Sequence, residues 1–150
     1  MRKFLYLLLL VCFIPIAAMA QKDLHVGRIL DGHYKKNPAV TEVEIMGERL
    51  REYGLTYYHS FTVKGDQRIM EEVRTAFLAD EAKAVDKDVT NVGGRLSTGM
   101  YRLEFDGVVN RFLFFKDMRL SPSKKQNAVM VIYMEGNITL KTLQRKFKNK

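Results

Sequence analysis

The 150-residue chain has one cysteine, Cys12, and three histidines. Cys12 lies inside an apolar N-terminal run, so residues 21–150 contain no cysteine. Without a thiol, that part holds neither a disulfide framework nor a sulfur nucleophile. His25 and His33 stand eight positions apart, not at the i, i+4 spacing that lets one helix face grip a metal ion. His59 is followed by Ser60, which suggests a base beside a nucleophile. In a strand, however, neighbouring side chains point to opposite faces, so the two do not act together.

Other reactive patterns are incomplete. Gly93-Gly94-Arg95-Leu96-Ser97-Thr98-Gly99 is rich in residues that cradle phosphate, yet it has no Lys-Ser/Thr pair, and a strand rather than a helix follows. It reads as a flexible loop. Asp86-Lys87-Asp88-Val89-Thr90-Asn91 opens like a calcium loop, but Asn91 stands where the glycine belongs and Ser97 where the closing glutamate belongs. It reads as a solvated helix end. Glu71, Glu72, Asp80 and Glu81 lie along a helix without a facing carboxylate, again a solvated face. Asn137-Ile138-Thr139 fits a glycosylation sequon, while Thr139 serves equally as a helix N-cap. No catalytic, cofactor-binding or metal-ligating residue is assigned. Repeats, low-complexity tracts and interdomain linkers are absent too.

What is present begins with a leader. Arg2 and Lys3 precede an apolar run from Phe4 to Ile16, and Ala18-Met19-Ala20 follows. Basic start, apolar middle and small-residue exit are the marks of a signal peptide, cleaved after Ala20. The remaining 21–150 suits a single domain. It keeps 23 Lys and Arg against 17 Asp and Glu, a net charge of about +6. In an exported protein such a surface meets anionic lipid, polysaccharide or an acidic partner rather than nucleic acid.

The most ordered pattern lies near the C terminus. Tyr101, Leu103 and Phe105 alternate with Arg102, Glu104 and Asp106, the period of a half-buried strand. Gly107 then turns the chain. A hairpin centred on Gly107-Val108 sets Leu103 opposite Phe112 and Glu104 opposite Arg111, avoiding the Arg102–Arg111 clash of the other register weighed. Phe112 and Phe114 then share the inner face with Tyr101, Leu103 and Phe105, and Leu113 and Phe115 point outward. Ala128 to Met134 is apolar on both faces and reads as a central strand.

Upstream, Leu24 to Leu30 has apolar residues at helical spacing, ended by Asn37-Pro38. Val40–Met46 and Thr56–Lys64 read as strands, with a short helix between them closed by Gly54. Asp66 caps a long helix whose inner stripe is Ile69, Met70, Val73, Ala76 and Phe77 and which runs to about Val85. Ile138, Leu140, Leu143 and Phe147 line one side of a basic terminal helix. The expected fold is α+β: an antiparallel sheet of about five strands, helices mostly on one face, and a C-terminal three-stranded meander.

The leader, the Val-Thr-Glu-Val-Glu-Ile strand near Thr41, the helix after Asp66, the meander and the closing Gly136-Asn137-Ile138-Thr139-Leu140 turn together resemble small exported bacterial domains of unknown function. In these, a similar Gly-Asn/Asp-Ile-x-Leu turn leads into the last helix. The resemblance implies a periplasmic or envelope-associated protein of Gram-negative bacteria, and it brings no catalytic residues.

The functional expectation is a non-enzymatic interaction module. Its surface would be the second face of the meander, Leu113, Phe115, Met130, Ile132 and Met134, meeting a protein partner or a second copy. The alternative is a small hydrophobic-ligand or lipid-binding domain with a pocket lined by Phe61, Phe77, Phe112 and Phe114. A third reading, a hydrolase, pairs His59 with a carboxylate from the long helix. The basic terminal helix adds a possible peripheral membrane contact.

Overall fold

The computed structural model describes residues 23–103, 107 and 109–148. The expected leader, residues 1–20, and Glu104, Phe105, Asp106 and Val108 of the expected hairpin lie outside the described residues. The elements are α1 (His25–Ile29), β1 (Val40–Met46), a 3-10 helix (Glu48–Tyr53), β2 (Leu55–Lys64), α2 (Gln67–Ala79), a 3-10 turn (Asp80–Lys83), β3 (Ala84–Val92), β4 (Arg95–Leu103), β5 (Asn110–Asp117), β6 (Ala128–Gly136) and α3 (Leu140–Lys148). All strands join one antiparallel sheet in the order β1-β2-β6-β5-β4-β3. The fold is α+β, and β4-β5-β6 form the meander.

On one face, α1 and α2 cover the larger core. Asp66 accepts a hydrogen bond from the Ile69 amide at 3.0 Å and so starts α2. Ile69, Met70, Val73 and Phe77, spaced by three and four, are fully buried under it. Each contributes about 1.5–3 kcal/mol on leaving water. Phe77 stacks on Tyr101 with centroids 4.2 Å apart and on Phe115 at 5.2 Å. Its ring fits because β4 has Gly99 beneath it, where a Cβ would lie 2.8 Å from the ring edge.

The long helix stops at Ala79, short of Val85, and the physical reason is Asp80. This carboxylate is fully buried and accepts from the amides of His25 at 2.7 Å and Val26 at 2.9 Å, so it caps α1 from across the fold. After the 3-10 turn the chain enters β3, a strand where the sequence had suggested a helix end and a loop. Gly93 and Gly94, at φ +57° and +76°, form the tight turn of a β3–β4 hairpin.

The register of the meander also differs from expectation. Arg102, not Leu103, lies opposite Phe112, and Tyr101 lies opposite Leu113. The shift by one position exchanges the faces of β5. Leu113 and Phe115 join Tyr101 and Leu103 under α2, while Phe112 and Phe114 join Met100 on the far side.

That far face is covered by α3 and the 3-10 helix. Leu50, Leu55, Met100, Phe112, Phe114, Ile132, Met134, Leu140 and Leu143 form its core. Gly136 lets β6 end there, since a Cβ would press on the Gly54 carbonyl and lie 2.8 Å from the Leu55 Cα.

Candidate functional site

The sheet parts the residues singled out for function. Leu113 and Phe115 are fully buried beneath α2, whereas Met130, Ile132 and Met134 belong to the face under α3. Phe61 and Phe77 likewise lie on the α2 side and Phe112 and Phe114 on the α3 side, so the four do not converge on one pocket. The space between α2 and the sheet is filled by the stacked rings of Phe77, Tyr101 and Phe115.

Around His59 the structure builds a polar seam instead. Its Nε2 lies 3.1 Å from Glu42 Oε2 and its Nδ1 3.4 Å from the Tyr57 hydroxyl, which donates to Glu44 Oε1 at 2.6 Å. The carboxylate partner therefore comes from β1, not from the long helix. Ser60 faces the other way, as strand geometry requires. Across the sheet, Tyr133 is paired with His59. Its hydroxyl donates to Glu135 Oε1 at 2.6 Å and accepts from Arg111 Nε at 3.0 Å. Arg111 continues to Asp23 at 2.8 Å. Burial, then the bond to Glu135, pushes the Tyr133 phenol well above its ordinary range. Burial would lower the Arg111 pKa, but Asp23 and Tyr133 together raise it.

The sequence hinted at this seam without disclosing it. Glu42 and Glu44 alternate with Val43 and Ile45, a pattern that marks a strand but says nothing of what the carboxylates meet. They share their face with His59 and Tyr57 because β1 pairs with β2 through Glu44↔His59 and Met46↔Tyr57. One atom is left over: Glu42 Oε1 is buried and has no hydrogen-bond partner.

On the α3 side, Ile45, Leu50, Tyr53 and Tyr58 form one wall of a half-open groove of about 360 Å³, and Leu143 and Phe147 form the other. Lys146 is the one cation among its lining residues. It donates to the Glu52 carbonyl at 2.9 Å and stands 5.8 Å over the Tyr53 ring. Beyond Phe147 a second, more polar groove of about 560 Å³ runs past Met100, Phe114, Lys116 and Met130. Gln144 ties α3 to Asp88 of β3 across it, at 2.9 Å. Asp86 and Asp88 thus sit on a strand. Among the described residues, no cluster of three or more His, Cys, Asp or Glu is arranged for a metal ion.

Neither a curated protein nor a solved structure matches the chain. A model described as a family of unknown function (DUF6108) matches residues 13–147, nearly the whole polypeptide, and the chain belongs to that family.

Proposed function

We propose that the chain is an exported, non-enzymatic binding module of a bacterial cell envelope, and that the groove beside α3 receives an apolar group bearing a negative charge. Export is supported by the basic start, apolar run and Ala-x-Ala exit of residues 1–20. The groove carries the binding reading. Its volume falls within the range of small-molecule sites, its walls are aliphatic and aromatic, and a single ammonium, Lys146, supplies the charge. A fatty-acyl carboxylate has that chemistry. The hydrolase reading loses support because His59 is pinned between Glu42 and Tyr57 with Ser60 on the opposite face. At a membrane, the exposed Lys141 and Arg145 would act by charge alone, since Leu143 is committed to the core.

Calorimetric titration with dodecanoate and with dodecylammonium tests the groove. Dodecanoate is expected to bind, with the ammonium form weaker by at least about tenfold, on the order of 1.4 kcal/mol. Lys146→Glu should cut dodecanoate affinity by a similar factor, and Ile45→Arg should block the groove. Equal binding of the two opposite headgroups, or indifference to both substitutions, would overturn the assignment.

A further inference from the structure

The two edges of the sheet are guarded differently. Pairing of β3 with β4 shifts register twice, between Ala84 and Asp86 and between Thr90 and Asn91, and β3 carries Lys87. Irregularity and lysine both spoil an edge for further pairing. β1 pairs with β2 in unbroken register from Val40 to Met46, and among the described residues no strand lies on its outer side. On the face opposite Glu42 and Glu44, the apolar Val43 is 44% exposed.

The other face of this strand asks for a cation. The Glu42 side chain is only 10% exposed, its Oε2 rests on His59, and its buried Oε1 has no partner. A buried acceptor left this way has lost its hydration without a hydrogen bond to replace it. Glu44, two residues on, adds a second carboxylate to the same face.

We propose that β1 is the docking edge for an extended segment of a partner protein in which cationic and apolar residues alternate. Added as a seventh strand, the segment sets lysine or arginine beside Glu42 and Glu44 and apolar side chains beside Val43 and Ile45. Directly opposed residues are about 5 Å apart, within reach of either cation. In three registers the same acids oppose a second copy of the chain. Two antiparallel β1 strands related by a two-fold axis keep each face with itself. Centred on Val43, they set Glu42 against Glu44 twice; centred on Glu42 or Glu44, they set that glutamate against its own copy. Like charges so placed repel. This surface uses the β1 backbone with Glu42 and Glu44 and does not involve Lys146; it shares only Ile45 with the groove.

The test is fluorescence anisotropy of the folded protein with a labelled peptide of about seven residues alternating lysine and valine. Two control peptides accompany it, one with glutamate for lysine and one N-methylated at alternate amides, made in both phases. The lysine peptide is expected to bind. The controls, and the double variant Glu42→Gln/Glu44→Gln, should each weaken binding by at least about tenfold. Failure of the lysine peptide to bind overturns the proposal, as does equal binding of the N-methylated forms or unchanged affinity of the double variant. Light scattering that shows a dimer broken by Val43→Arg also overturns it, by assigning the edge to a second copy.

Discussion

Asp117 fastens α2 to the end of β5. It is 1% exposed, receives the Arg74 guanidinium, and accepts from the Arg119 amide at 3.0 Å and side chain at 2.8 Å. Burial alone would raise its pKa, but the Arg119 hydrogen bonds and the charges of Arg119 and Arg74 outweigh that and hold it below the ordinary carboxylate range. Arg74 itself is pushed down, its own burial outweighing the Asp117 charge. A depressed carboxyl pKa contributes stability that is complete above the unfolded value, about 4, and disappears as pH falls through the folded value. Asp117→Asn leaves Arg74 buried without its main counter-charge, so a loss of about 3 kcal/mol is expected near pH 7. The gap between the two proteins should narrow below about pH 4. Urea unfolding at both pH values checks this, and an equal gap at both would refute it. Sequence reading missed the pair because Arg74 sits in a helix and Asp117 at a strand end, 43 positions away.

Among elements, α3 does the most with the least length. Its nine residues close the α3-side core through Leu140, Leu143 and Phe147, and Phe147 stacks on Phe114 at 5.1 Å. Ending the chain after Thr139 should bare Phe112, Phe114 and Met134. The expected signs are a lower Tm and a marked rise in anilinonaphthalene sulfonate fluorescence, and no change in either would count against α3 as a structural cover. This helix and α2 were legible because each has one wet and one dry side, and β2 because Tyr57, His59, Phe61 and Val63 alternate along its buried face; β1 was legible by alternation alone, since none of its residues is fully buried. β5 was legible as a strand but not in register. Five consecutive residues, Arg111 to Phe115, are buried, so alternation carries no information about which face is which. The choice between the faces was made by Phe77 stacking on Phe115, a contact across 38 positions. β3 was illegible for the opposite reason. After Ala84 all its residues are exposed, so an edge strand wet on both faces imitates a loop. The polar seam was hidden by the same ambiguity, since Glu42 and Glu44 look like a solvent face until β2 supplies His59 and Tyr57.

For the molecule as a whole, strand order matters most. β1 and β2 form one hairpin, β3 to β6 form a continuous meander, and the two are zipped side by side through β2 and β6, from Lys64↔Ala128 to Leu55↔Gly136. The family membership covers residues 13–147 but does not reveal this division. The links between the two blocks include that zipper, the packing of α2, the Arg111–Asp23 pair, the packing of α3 against Leu50 and Leu55, and a covalent passage through Asp80–Lys83. The amino half keeps α1, its Asp80 cap and α2, while the carboxyl half keeps α3. Severed after Lys83, the two pieces should find each other when co-expressed, as a split fluorescent reporter fused to them would reveal, and Ile132→Pro in β6 should prevent it. The domain is in this sense a two-piece clasp, and its natural use in engineering is as a reporter of proximity.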